Sequence, residues 1–177
     1  VCQIDHKVIQ TTCGAEGVEM LPIRAGREKD DWVKDYDWNA VSKDKDKYTQ
    51  FVAKQENPQG LGVIAHPGAK VAMPLQACLF LRDEPVQHVH NIFIAREGSE
   101  MHIISGCASS WQKEHGAHIG VTEIYVEKGA KVTYTMIHNW NPGISVFPRS
   151  ATIIEEGGVF LSNYVCMQPV NRVDMYP

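Results

Sequence analysis

"YVEKGAKVTY", Tyr125 to Tyr134, sets a glycine between two short apolar-alternating runs, and three other stretches repeat the arrangement. They are "VIAHPGAKVAM" (63–73), "FIAREGSEMHI" (93–103) and "TIIEEGGVFLS" (152–162). Aligned on Gly68, Gly98, Gly129 and Gly157, the units recur at spacings of 30, 31 and 28 residues. An apolar side chain stands four residues before each glycine (Ile64, Ile94, Tyr125, Ile153) and another three after it (Val71, Met101, Val132, Phe160). Alternation with period two marks strands. A unit near 30 residues, made of strands and tight turns without a helix, predicts a β-solenoid. One turn of such a coil cannot bury its inner face alone; stacking turns about 4.8 Å apart pairs the strands in parallel and closes a core. Glycine at the corner supplies a backbone conformation that a Cβ resists. An antiparallel meander, with "EGS" and "KGA" closing hairpins, also recurs regularly and is the competing arrangement. Both are mainly β, and the solenoid is preferred.

Outward from this repeat the chain has two textures. Residues 61–177 carry the repeat and form the expected β core. Residues 1–60 open with an apolar-alternating stretch, Val1 to Gln10, and continue into "GREKDDWVKDYDWNAVSKDKDKYTQFVAKQ". There Trp32, Val33, Tyr36 and Ala40 recur at helical spacing, as do Tyr48, Phe51 and Val52. Two short amphipathic helices are expected, the second ended by Pro58 and Gly60. Their Lys and Asp residues read as a solvated face.

Composition narrows the function. A net charge of −4 on 177 residues lacks the basic face of a nucleic-acid binder. No apolar run approaches the roughly 18 residues that span a bilayer, and the opening residues lack a secretory signal pattern. A cytoplasmic protein is expected. The chain begins at Val1 without a methionine and stops at Pro177 within an alternating apolar stretch, so a piece of a longer protein is expected. Five widely spaced cysteines (Cys2, Cys13, Cys78, Cys107, Cys166), with no CxxC pair, fit free thiols better than a disulfide framework. Cys78 and Cys166 stand among apolar residues and read as packing.

Along the repeat run, in order, Gly106-Cys107, His118 to Glu123, Lys128-Gly129-Ala130, Asn139-Trp140, Arg149 to Ala151 and Glu155 to Gly158. This series resembles the SufB/SufD family of the SUF iron–sulfur assembly system, specifically a short SufB-like form, over about residues 20–177. The resemblance implies a right-handed parallel β-helix preceded by a small helical segment. It implies a non-enzymatic scaffold that receives persulfide sulfur and supports a transient Fe–S cluster in the full assembly. The implied partners are a SufC-type ABC ATPase, a SufB/SufD paralogue or a second copy, and a cysteine desulfurase or its sulfur carrier. No nucleic acid, membrane, resident cofactor or metal is implied for this stretch. The cluster-ligating residues and the helices that hold the ATPase are expected beyond Pro177. The choice between homodimer and heterodimer stays open.

The resemblance makes Cys107 the sulfur acceptor, and His138, Trp140 and Arg149 a polar path inside the β-helix. His138 departs from the family, where glutamine is common, and Arg149 stands where lysine is usual. On "QACLFLRD", Phe80 and Arg82 occupy the places of an expected polar pair. A sulfur acceptor needs a reachable thiolate. The small residues of "GCASS" suggest an accessible turn, with His102 or His115 as sources of positive charge. Other readings remain beside it. The chain could be a SufD-like structural partner that holds the ATPase without accepting sulfur. It could instead be a metal-binding β-solenoid enzyme, for which His88 and His90 share one strand face but lack an evident third ligand. Cys107, His115 and His118 match no common zinc spacing, and no oxyanion motif supports a cysteine protease. His118 reads as structural and Trp140 as a large apolar anchor.

Overall fold

The computed structural model describes residues 1–28, 32–56 and 59–176. The chain opens with β1 (Cys2–Ile4), β2 (Lys7–Gln10) and β3 (Val18–Pro22), then α1 (Ile23–Glu28), α2 (Val33–Tyr36) and α3 (Lys47–Ala53). Nine strands follow: β4 (Leu61–Ala65), β5 (Leu75–Leu81), β6 (Val86–Ala95), β7 (Glu100–Ser109), β8 (Gly116–Val126), β9 (Lys131–Asn139), β10 (Ile144–Ile154), β11 (Val159–Cys166) and β12 (Arg172–Val173). They fill two sheets alternately. One has the order β11-β9-β7-β5-β1-β2, the other β12-β10-β8-β6-β4-β3.

Every pairing between strands of successive turns is parallel, as a solenoid requires and a meander forbids. Among the described residues, antiparallel pairs occur only where β2 and β3 meet the first rung. The register repeats the sequence spacing: Val63 pairs with Phe93, Phe93 with Ile124 and Ile124 with Thr152, offsets of 30, 31 and 28. The four repeat glycines all adopt positive φ, from +64° to +72°, the left-handed region that favours glycine. Their corners also stack, the amides of Gly68, Gly98 and Gly129 donating to the carbonyls of Glu97, Lys128 and Glu156 one turn on.

The apolar residues flanking each glycine serve different faces. Val71, Met101, Val132 and Phe160 point into the coil, opposite Val63, Phe93 and Ile124. Ile64, Ile94 and Tyr125 point outward and are buried by the N-terminal segment, through Ile23, Val33, Leu21, Trp32, Tyr36 and Ala40. Ile153, the fourth of that set, lies past this cover and is 47% exposed. The helical spacing of Trp32, Val33, Tyr36 and Ala40 therefore marks contact with a sheet. Only one turn, α2, is helical, and Ala40 lies beyond it. α3 holds Tyr48, Phe51 and Val52 as expected, whereas α1 is an addition. Asp46 caps α3, accepting from the amides of Tyr48 and Thr49 at 2.9 Å each while Thr49 returns the bond. Pro58, expected to end this helix, lies outside the described residues, as does Pro177. No helix among the described residues is long and apolar enough to cross a membrane.

Candidate functional site

The interior is not uniform. Near the glycine corners it is lined by aliphatic and aromatic side chains. Toward the opposite corners it turns polar. An in-register column on the first sheet runs Gln3, Leu79, Cys107, His138, Cys166, and a column on the second runs Gln87, His118, Val146. Cys107 lies within β7, whose alternation turns Met101, Ile103, Ser105 and Cys107 inward. The expected accessible turn is thus corrected: the thiol is 3% exposed. Small neighbours in "GCASS" let the strand pack closely and do not open it to solvent. His102 faces the other side of the sheet, bonded to Thr135 at 3.0 Å, and neither it nor His115 lines the cavity around Cys107.

That cavity, about 20 Å³, is bounded by Cys107, Ser105, His118, Thr122, Tyr134 and Met136, among others. A space of that size admits one water-sized guest. The ring of His118 lies 5.0 Å from that of Trp140 and 6.2 Å from that of His138, and His138 bonds Tyr164 at 3.0 Å. Gln87 settles the state of His118. Its amide nitrogen donates to the carbonyls of Asp5 and Phe80, so its oxygen faces His118 Nδ1 at 2.9 Å and accepts. Nδ1 therefore carries the proton, and Nε2 keeps its lone pair. Burial, with His138 and His88 adding, pulls His118 down to about 3, and burial alone pulls His138 to about 4. Burial pushes Cys107 up to about 12, against the opposing hydrogen bond from Ser105. The chamber is polar yet uncharged at neutral pH. His138 Nε2 and Trp140 Nε1 are buried there without a hydrogen-bond partner.

The expected path divides. His138 and Trp140 join Cys107 inside, but Arg149 lies on the outer face of the second sheet, which corrects its place on an internal route. Strand alternation explains this: Ile144 and Val146 pack inside the coil, while Phe147 and Ala151 pack outside against Val41 and Val52, so Arg149 between them faces outward. Its guanidinium bridges Asp46 at the cap of α3 (2.5 Å) and Asp174 (3.1 Å). The expected packing cysteines also differ. Cys78 is exposed because Leu79 takes the inward position beside it. Cys166, in the interior column, is exposed because β11 is the outermost strand of its sheet.

A second polar cluster, which sequence reasoning missed, binds the helices to the outer face. Arg27 Nη2 donates to His90 Nδ1 at 2.7 Å, so His90 Nε2 carries the proton and donates to Glu123 at 2.8 Å. Glu123, fully buried, also accepts the amides of Trp38, Ala40 and Val41 at 2.6–2.8 Å. Burial opposes its charge, but the His90 hydrogen bond and these amides hold it below the usual carboxylate range. Burial keeps His90 neutral against Glu123's pull. A Glu at a buried strand position was the available signal. His88 shares the face of His90 but stacks on His6, ring centroids 4.3 Å apart, under Phe51. Among the described residues no three His, Cys, Asp or Glu side chains group to hold a metal.

Fold and chamber together define a parallel β-solenoid with a neutral thiol and imidazole chamber at one end of its interior. A family model described as "SUF system FeS cluster assembly, SufBD core domain" matches residues 80–172, and the chain belongs to the SufBD family. An "Iron-sulfur cluster assembly SufBD family protein" of Archaeoglobus fulgidus is 49% identical over 162 residues, 92% of this chain and 43% of that protein. A relative of the same description from Methanothermobacter thermautotrophicus (strain Delta H) is 41% identical over 179 residues, 99% of this chain and 44% of that protein. One from Pyrococcus horikoshii is 27% identical over 109 residues, 61% of this chain. The chain thus spans less than half the length of the first two.

Proposed function

We propose that this chain is part of a scaffold for iron–sulfur cluster assembly, with Cys107 receiving sulfane sulfur inside the solenoid. A SufC-type ATPase and a SufB/SufD-like partner or second copy would complete the assembly, and ATP hydrolysis would belong to the ATPase. The observation that carries the reading is the polar chamber itself. Buried donors and acceptors without partners cost about 1–3 kcal/mol each, and the other half of the same coil shows that apolar side chains fill this fold readily. A thiol beside an atom-sized space, among neutral hydrogen-bonding rings, suits one sulfur atom held away from water.

Burial sets the condition for transfer. A thiol raised to about 12 carries almost no thiolate at neutral pH, so sulfur reaches it only when the chamber opens to a donor. Transfer then joins Cys107 Sγ to the donor's terminal sulfur, breaks the donor's S–S bond and returns the Cys107 proton to the departing thiolate. The same burial favours a second reading, a SufD-like partner that holds the ATPase and takes no sulfur. Loading the full-length protein with a cysteine desulfurase and cysteine, with the ATPase present, separates the two by mass spectrometry. One added sulfur at Cys107, released by dithiothreitol, is expected. Desulfurase turnover with Cys107 unmodified would leave the structural role.

A further inference from the structure

We propose that Cys2 and Cys78 form a reactive dithiol on the outer face of the first sheet, closed to a disulfide by exchange with a low-molecular-weight disulfide. The two residues are in-register partners in the parallel pair β1–β5. Gln3 and Leu79, the next pair along, point inward and are buried, so Cys2 and Cys78 point outward together. Neighbouring strands lie about 4.8 Å apart, within the roughly 4.4–6.8 Å separation of Cα atoms that a disulfide spans. A hydrogen bond of 2.9 Å from the Cys78 amide to the Val1 carbonyl holds the strands in this alignment.

Access comes from two features. Both cysteines line an open cavity of about 660 Å³ that also takes in Cys13, Gln10, Lys70 and Met73. On the far side of Cys78 the in-register neighbour is Gly106, where an added Cβ would meet nothing closer than 3.9 Å. A reagent can therefore approach Cys78 laterally without displacing a side chain. Cys13 is held differently, its Sγ 3.9 Å from the Val18 carbonyl.

Cys78, the more exposed of the pair, is the attacking thiol. Its thiolate displaces one thiolate from the small disulfide and forms a mixed disulfide. The Cys2 thiolate then attacks Cys78 Sγ and expels the second small thiolate. Two protein thiols lose two electrons, one disulfide becomes two thiols, and the two cysteine protons pass to solvent or to the released thiolates. Closing the bond ties the start of the chain to the second rung and so fixes the segment that holds β2, β3 and the helices. The site is separate from Cys107, which is paired with Leu79 and lies on the opposite face of the sheet.

The test uses the full-length protein in glutathione disulfide, followed by acid quenching, alkylation and peptide mapping without reductant. The expected product is a Cys2–Cys78 crosslink, two hydrogens lighter than the paired peptides and reversed by dithiothreitol. Cys2→Ser, checked as folded by circular dichroism, should instead retain one glutathione on Cys78. A wild-type protein that keeps glutathione on Cys78, crosslinks Cys13 to Cys78, or leaves both thiols alkylated would overturn the proposal.

Discussion

The two ends of the solenoid interior share one backbone, one register and one pair of sheets, but their side chains differ in kind. Beside the glycine corners, Val63, Phe93, Met101, Ile124 and Val132 stack in rungs that lose nothing on leaving water. At the opposite corners, Gln87, Cys107, His118, His138 and Trp140 occupy equivalent rungs with polar atoms to satisfy, and two of those atoms have no partner. The difference sets a rung-stacked apolar half against a half whose buried polar atoms are only partly satisfied.

The largest effect belongs to the apolar half. Phe93 is 1% exposed and packs edge-on against Tyr134 at 5.5 Å. Phe93→Ala should cost about 3–5 kcal/mol of unfolding free energy, read from urea titrations. A loss under about 1 kcal/mol would show that this half is not where the fold is held.

Acid should expose the polar half. An unfolded histidine titrates near 6.5, whereas folded His118 and His138 titrate near 3 and 4. Below about pH 6.5 the unfolded chain binds protons that folded His118 and His138 refuse, so the stability these two contribute falls as the pH drops through this window. Each histidine contributes up to about 1.4 kcal/mol per pH unit, giving about 4 kcal/mol for the two by pH 5. His118→Gln should flatten the slope, and Phe93→Ala should leave it unchanged. A slope that survives His118→Gln in full would place the buried proton sink elsewhere.

Much of the coil was legible because its physical demands fall on single residues. A left-handed corner favours glycine, and a parallel stack repeats it at the register offset, so Gly68, Gly98, Gly129 and Gly157 disclosed the rungs. Direction was harder to read. Val63 and Ile64 are both apolar, yet one faces the coil and the other the helices, because both faces of the second sheet are covered. That double burial breaks the alternation which assigns faces in a half-exposed sheet. The same ambiguity hid the site. His138 and Trp140 were legible as a pair, but Arg149, on a strand covered on both sides, gave no sign that it faces Asp46 and Asp174. The burial of Cys107 was not legible, since small residues around a thiol fit an open turn and a tightly packed strand equally well. The cluster of Arg27, His90 and Glu123 joins residues up to 96 positions apart, a distance over which periodicity carries no signal.

The most direct measurement is alkylation of the native protein with iodoacetamide at neutral pH, with each cysteine followed by mass spectrometry. Cys78 and Cys166 should react readily, while Cys107 stays unmodified until denaturant opens the coil. Native labelling of Cys107 at the rate of Cys78 would contradict a sealed thiol chamber within the solenoid.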